Sequence, residues 1–215
     1  MLKFKNLAKR NILYYFTNRI RYNSCNNLEL CSSNFTDHKS LLIRDNFITT
    51  EEENAILKEV EKKLNRMKYE SSHWDDVIHG YREIQKLHWL ESTQFIIDRL
   101  RSLVPPPLLP HTHILDLSPE GYITPHIDSV EYCGPCFAVL SLLSDAVIRL
   151  EHTESPDHWF KVLIKRYSVY VLDGKLRYQY KHSILNGKDA TVNEVKIEKG
   201  RRLSVIVRGD ITKEP

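Results

Sequence analysis

Two motifs lie side by side in YITPHIDSVEYCGPC, residues 122 to 136, and they call for different chemistry. Cys133 and Cys136 form a Cys-x-x-Cys pair, the spacing of a redox dithiol. His126 and Asp128 are two residues apart. On an extended strand such a pair turns an imidazole and a carboxylate to one face, with Ile127 on the other.

The dithiol reading needs an acidified first thiol, commonly supplied by a helix N-terminus inside a βαβ unit. The segment that follows, FAVLSLLSDAVIRL, has no polar helical face and reads as two buried strands. Gly134 and Pro135 then serve as turn residues. A zinc knuckle would need a second ligand pair, and none is available. The bland reading, a loop with two incidental cysteines, is favoured.

The His-x-Asp reading gains support further along the chain. His182 lies in YQYKHSIL, a strand-like stretch 54 residues after Asp128. Two histidines and one carboxylate with open positions make the facial triad of non-haem iron(II) oxygenases. In GRRLSVIVR, Arg202, Ser204 and Arg208 share strand parity and so one face. An inward arginine is costly unless it meets an anion, and the guanidinium fork suits a dicarboxylate. Taken singly, each of these residues would read as incidental; in this order across a β-rich half, they do not.

The elements that must position these groups follow from pattern. TTEEENAILKEVEKKLNR opens with a capping box at Thr49 and Glu52 and repeats Ile56, Val60 and Leu64 at helical spacing. STQFIIDRLRSLV reads as a second helix with Phe95, Ile96, Leu100 and Val104 on one side, stopped by Pro105 to Pro107. The stretch between them, from Met67 to Trp89, has no clear period. Eight short strand-like runs follow, from THILDL to RRLSVIVR. Turn signals at Ser118–Gly121, Asp173–Gly174 and Asn186–Gly187 separate several of them. The expected fold is α+β, an antiparallel jelly roll supported by N-terminal helices.

Composition bounds the rest. Hydrophobic residues form 41% of the 215, enough for a sizeable core, and four cysteines are too few for a disulfide scaffold. Residues 1 to 28 carry six basic and no acidic side chains, which fits a mitochondrial transit peptide ahead of one domain from 29 to 215. Removing those six charges from the net +3 leaves −3, unlike a protein that grips phosphates. No apolar run reaches the length of a membrane span.

The ordered set resembles the AlkB family of iron- and 2-oxoglutarate-dependent dioxygenases, and within it a mitochondrial subfamily of animals. RMKYESSHWDDVIHGYRE, ILDLSPEGYITPHIDSVEYCG, LSLLSDAVIRLEHT and GRRLSVIVR carry the likeness, which runs from about Asn46 to Arg208. The resemblance implies a double-stranded β-helix core with Fe(II) on His126, Asp128 and His182. It implies that Arg202 grips the distal carboxylate of 2-oxoglutarate and that Arg208 lies near the other end. Ser204 would line the site between them, and Tyr170 would hydrogen-bond the co-substrate. Positions six apart on a strand are roughly 20 Å apart, so both arginines reach one small ligand only if strand or side chains converge.

Some features depart from the family's repair enzymes. Leu115 and Leu117 stand where those carry Asn-x-Tyr, and no base-gripping lid is evident, although Trp74, His79 and Tyr81 could line a pocket. The implied reaction converts 2-oxoglutarate and O2 to succinate and CO2 while oxidising a C–H or N-methyl group. A protein or metabolite of the mitochondrial matrix is the favoured substrate. The resemblance links the activity to fatty-acid and energy metabolism and to regulated necrosis after alkylation damage. A mitochondrial tRNA demethylase is one alternative; an iron-fold scaffold without turnover is another. Duplex DNA is not expected as a partner.

Overall fold

The computed structural model describes residues 27–32 and 36–211. The expected leader lies outside the described residues except for Asn27 and Leu28. Among the described residues, thirteen strands and three α-helices follow one another in this order: β1 (Leu28–Leu30), β2 (Leu42–Arg44), α1 (Thr50–Leu64), β3 (Glu70–Ser72), β4 (Ile78–Lys86), α2 (Glu91–Arg101), β5 (Thr112–His126), β6 (Cys136–Leu142), β7 (Ala146–His152), β8 (Trp159–Ile164), β9 (Val169–Asp173), α3 (Gly174–Gln179), β10 (Tyr180–Ile184), β11 (Thr191–Val192), β12 (Val195–Lys196) and β13 (Arg202–Arg208).

All strand pairs are antiparallel. Eleven strands form one curled sheet in the order β1-β8-β7-β10-β5-β13-β6-β9-β2, with β4 added to β5 and β3 to β4. Consecutive strands β6 and β7 do not pair with each other; β6 joins β13 and β9, whereas β7 joins β8 and β10. The chain thus alternates between two layers, as in a jelly roll. β5 ties the layers together. Its first half pairs with β13, and its last residues pair with β10.

The β13–β6–β9 layer is covered on both faces, which explains the unbroken apolar run of β6: every residue from Cys136 to Leu142 is buried. On one face Ala138, Leu140, Leu142, Leu203, Val205 and Val207 pack against Ile56, Val60 and Leu64 of α1 and Ile96, Ile97 and Leu100 of α2. On the other, Phe137, Val139, Tyr170, Leu172 and Ile206 meet Ile148, Leu150, Phe160 and Val162 of the opposing layer. Arg202, Ser204 and Arg208 have the parity of Ile206 and point inward, as strand alternation requires.

α1 starts where its sequence says it should. Thr49 Oγ accepts from the Glu52 amide at 3.2 Å, and the Glu52 carboxylate accepts from the Thr49 amide at 3.0 Å. Such a cap contributes about 1 kcal/mol. α2 presents Thr93, Ile96, Ile97 and Leu100 to the core; of the expected face Ile96, Leu100 and Val104 are buried, whereas Phe95 is 52% exposed and Ile97 takes its place.

Three local readings need correction. THILDL and YITPHID are not two strands: Ser118–Gly121 lies within the single strand β5. Gly121 serves there as a point of close approach. A Cβ on it would meet the Gly80 carbonyl at 2.5 Å, and the β4–β5 register shifts between His79 and Tyr81 at this place. Asp173–Gly174 is not a hairpin turn but the start of α3, with Gly174 at φ +49°. The aperiodic stretch after α1 is the hairpin β3–β4.

Candidate metal centre

His126 ends β5, and His182 of β10 stands opposite it as its pairing partner, with ring centroids 4.2 Å apart. Asp128 lies two residues past the end of β5, so strand alternation alone does not place it. A loop does, and that loop is held by Arg177. This buried arginine of α3 donates to the carbonyls of Asp128 (2.9 Å), Ser129 (3.2 Å), Cys133 (3.3 Å) and Gly134 (3.3 Å).

Donor atoms of His126, Asp128 and His182 lie within 4.8 Å of one another. Among the described residues this is the one such cluster of histidine, cysteine and acidic groups. Asp128 Oδ1 is 3.2 Å from His126 Nε2 and 3.6 Å from His182 Nε2. Octahedral ligands about 2.1 Å from one ion are separated by roughly 3 Å, so the spacing fits a shared cation. The protonation pattern agrees. His126 Nδ1 is 2.9 Å from the Thr124 carbonyl, which can only accept, so that nitrogen carries a proton. Its Nε2 then faces Asp128, and either a second proton or a metal ion satisfies both atoms.

Electrostatics prepare the ligands. Burial alone pushes the Asp128 carboxyl up, but the hydrogen bond with His126 and the Arg208 charge outweigh it and hold the group well below the carboxylate range. Burial, helped by the neighbouring His126, pushes His182 down to about 3. At neutral pH Asp128 is therefore ionised and His182 neutral, the charge states a metal requires.

A second group of side chains lies on the same inward face. Arg202 is 1% exposed; its Nε donates to Ser141 Oγ at 3.0 Å and its Nη1 to Ser204 Oγ at 2.7 Å. Tyr170, also buried, is hydrogen-bonded to the same guanidinium. Arg202 Nη2 has no hydrogen-bond partner among the described residues. A buried cation with a donor left over is costly, and the simplest remedy is an anion bound beside it. Leu115 and Leu117, paired with Ser204 and Arg202, form the adjacent apolar wall on β5. The four residues from which a co-substrate site was expected thus split into two groups: Tyr170, Arg202 and Ser204 gather together, whereas Arg208 donates to Asp128 Oδ2 at 3.0 Å.

Sequence reasoning missed three participants. Arg177 was unremarkable in the short connection between two strand-like runs. Ser141 sits in an apolar run whose interest was its hydrophobicity. His113, which accepts from Arg208 Nη1 at 3.0 Å, carried no motif at all. Parity with Leu115 and Leu117 was the one signal that could have placed His113 on the inner face.

The other candidates fall away from the centre. Burial pushes the Cys133 thiol up, opposite to what a redox dithiol needs, and neither Cys133 nor Cys136 is in a disulfide among the described residues. Tyr81 is buried in the core and its hydroxyl donates to Glu70. His79 stacks on Tyr122, and Trp74 is 89% exposed.

No family model matches the sequence. Over 170 residues, 78% of this chain, the sequence is 43% identical to a Bos taurus protein named "Alpha-ketoglutarate-dependent dioxygenase alkB homolog 7, mitochondrial", covering 77% of that relative. The Mus musculus protein of the same name is 42% identical over the same shares. Among solved structures, OsALKBH1 superposes with a TM-score of 0.57 at 14% identity, covering 78% of this chain and 97% of that one. A Pseudomonas putida prolyl-4-hydroxylase superposes with a TM-score of 0.52 at 12% identity, over 80% of this chain and 92% of that one. At such identities these two structures speak for the fold alone, and the fold they share with this chain is the jelly roll.

Proposed function

Because this chain belongs to the AlkB family of α-ketoglutarate-dependent dioxygenases, we propose that it holds Fe(II) on His126, Asp128 and His182 and oxidises a C–H or N-methyl group of a mitochondrial protein or metabolite. Its co-substrate is 2-oxoglutarate, another name for α-ketoglutarate. The observation that carries the iron assignment is the donor set itself: two imidazoles and one carboxylate whose ligand atoms lie within 4.8 Å. That set leaves open positions, as an oxygenase needs.

Bound iron would supply the redox chemistry that couples decarboxylation of 2-oxoglutarate to oxidation of the substrate. The chain's own residues supply binding and orientation. Arg202 offers its unpartnered Nη2 to the distal carboxylate, with Ser204, Ser141 and Tyr170 fixing the guanidinium plane. Leu115 and Leu117 keep water from that end of the site. Arg208 stays with the metal carboxylate, at the opposite end of the same face.

The basic leader and the relatives' mitochondrial names support a matrix location after removal of roughly residues 1 to 28. A role in energy or fatty-acid metabolism, and in regulated necrosis after alkylation damage, belongs to the same proposal through the family resemblance. The test is conversion of 2-oxoglutarate to succinate by the purified chain with Fe(II) and O2, in the presence of mitochondrial extract. Succinate formation that is unaffected by chelating the metal would reject the iron assignment.

A further inference from the structure

Three hydrogen bonds in series connect Asp128 to the rim of the molecule. Arg208 Nε donates to Asp128 Oδ2 at 3.0 Å, Arg208 Nη1 meets His113 Nδ1 at 3.0 Å, and His113 Nε2 meets Glu83 Oε2 at 2.7 Å. Three adjacent strands, β13, β5 and β4, each contribute one link. The outer end reaches solvent: Asp128, Arg208 and His113 are largely shielded, whereas 37% of the Glu83 side chain is exposed.

The direction of the chain is fixed by chemistry. A guanidinium only donates, so His113 Nδ1 must accept. His113 is then neutral with its proton on Nε2, and it donates that proton to Glu83. Burial favours the neutral ring, and the bond from His113 keeps Glu83 ionised. No other assignment satisfies all three contacts.

Asp128 has two oxygens that a rotation would exchange. Oδ1 faces the imidazole nitrogens of His126 and His182, while Oδ2 is occupied by Arg208. Arg208 has a long, rotamer-rich stem; left to itself it would not hold one oxygen in preference to the other. Its second hydrogen bond, to His113, turns the guanidinium into a fixed bracket, and Glu83 fixes His113 in turn. Outer partners of this kind orient metal ligands.

We propose that Glu83 and His113 are positioning residues that, through Arg208, hold Oδ2 of Asp128 away from the metal and present Oδ1 to it. The proposal rests on the reading of His126, Asp128 and His182 as the metal centre.

Two measurements test it. The first uses metal-free protein and long-range proton–nitrogen NMR of the histidine rings. His113 is expected as the neutral Nε2–H tautomer, and a protonated ring or the Nδ1–H tautomer overturns the proposal. The second is Mn(II) affinity across a variant series. His113→Phe removes the acceptor and should weaken Mn(II) about 10- to 100-fold. His113→Asn keeps an acceptor near the Nδ1 position and should recover most of the loss. Glu83→Ala should weaken Mn(II) by a smaller factor than His113→Phe. The apparent affinity for 2-oxoglutarate at saturating metal should stay close to wild type throughout. A purely structural role predicts equal losses for the Phe and Asn variants, or lower melting temperatures with unchanged Mn(II) affinity; either result overturns the proposal. If the wild-type chain binds no Mn(II), the metal reading fails and this inference falls with it. Wild-type binding with no difference among the variants removes this inference alone.

Discussion

Arg177 Nη1 donates to the backbone carbonyl of Asp128 at 2.9 Å, joining helix α3 to the loop that carries the carboxylate proposed to hold iron. The same guanidinium gathers three further carbonyls of that loop, ending at Gly134. Gly134 is pressed against the Gly209–Asp210 backbone, where a Cβ would come within 2.4 Å of the Asp210 carbonyl. The Cys-Gly-Pro-Cys segment is therefore the foot of the metal-ligand loop. Its glycine matters for packing, and burial disfavours the Cys133 thiolate.

Arg177→Met should consequently loosen Asp128 without touching it. Charge-assisted bonds to buried carbonyls contribute about 1.5 to 3 kcal/mol, so a net loss of about 3 kcal/mol in unfolding free energy is expected. Metal affinity should fall together with stability. Urea unfolding and a metal titration on the same preparation check both. A variant as stable as wild type with full metal affinity would show that the loop holds itself.

Cys133→Ser is expected to retain turnover under reducing conditions. The side chain is replaced by one of nearly equal volume, and burial already disfavours the thiolate. A loss of rate greater than about tenfold, or about 1.4 kcal/mol in the barrier, would restore a chemical role to this cysteine.

Arg202→Lys tests the co-substrate anchor. Lysine keeps the charge but loses the planar fork and its fixed bonds to Ser141 and Ser204. The apparent KM for 2-oxoglutarate should rise about 10- to 100-fold, equivalent to about 1.4 to 2.7 kcal/mol, with a smaller change in kcat. An unchanged KM would mean that the buried guanidinium serves packing only.

Acid should destabilise the metal-free protein through His182. The native ring titrates near 3, and the unfolded ring near its ordinary 6.5. Between those values the unfolded chain binds the extra proton, so stability falls as pH falls, by up to about 1.4 kcal/mol per pH unit from this group. His182→Gln should remove that share of the slope. Urea midpoints from roughly pH 4.5 to 7 measure it. Equal slopes in variant and wild type would contradict the assigned burial of the neutral ring.

How far these features were legible in the sequence depends on the range of the interaction. The capping box at Thr49 and Glu52 and the inward set on β13 depend on local pattern, and the structure reproduces both. The three candidate ligands were legible as residue types in order, and the structure brings their donor atoms together. What brought His182 opposite His126 was the β10–β5 pairing, which no local period encodes. Local signals misled where tertiary contact overrode them. Ser118–Gly121 has turn chemistry, yet it lies within β5 where the register with β4 shifts, between Leu117 paired with Tyr81 and Tyr122 paired with His79, with Gly121 used for close backbone approach. Phe95 counted as apolar but is mostly exposed, because α1 and the sheet meet the turn of α2 that carries Ile96, Ile97 and Leu100. Arg177 and His113 were illegible for a different reason. Each matters through partners 30 or more residues away, and neither belongs to a spacing motif.

The central claim is that His126, Asp128 and His182 converge on one metal ion. An anaerobic Fe(II) titration of the purified chain, run beside Asp128→Ala, tests it most directly. The account predicts one tightly held ion per wild-type chain and none in the variant. Stoichiometric Fe(II) retained by Asp128→Ala, or no binding by the wild-type chain, would contradict it.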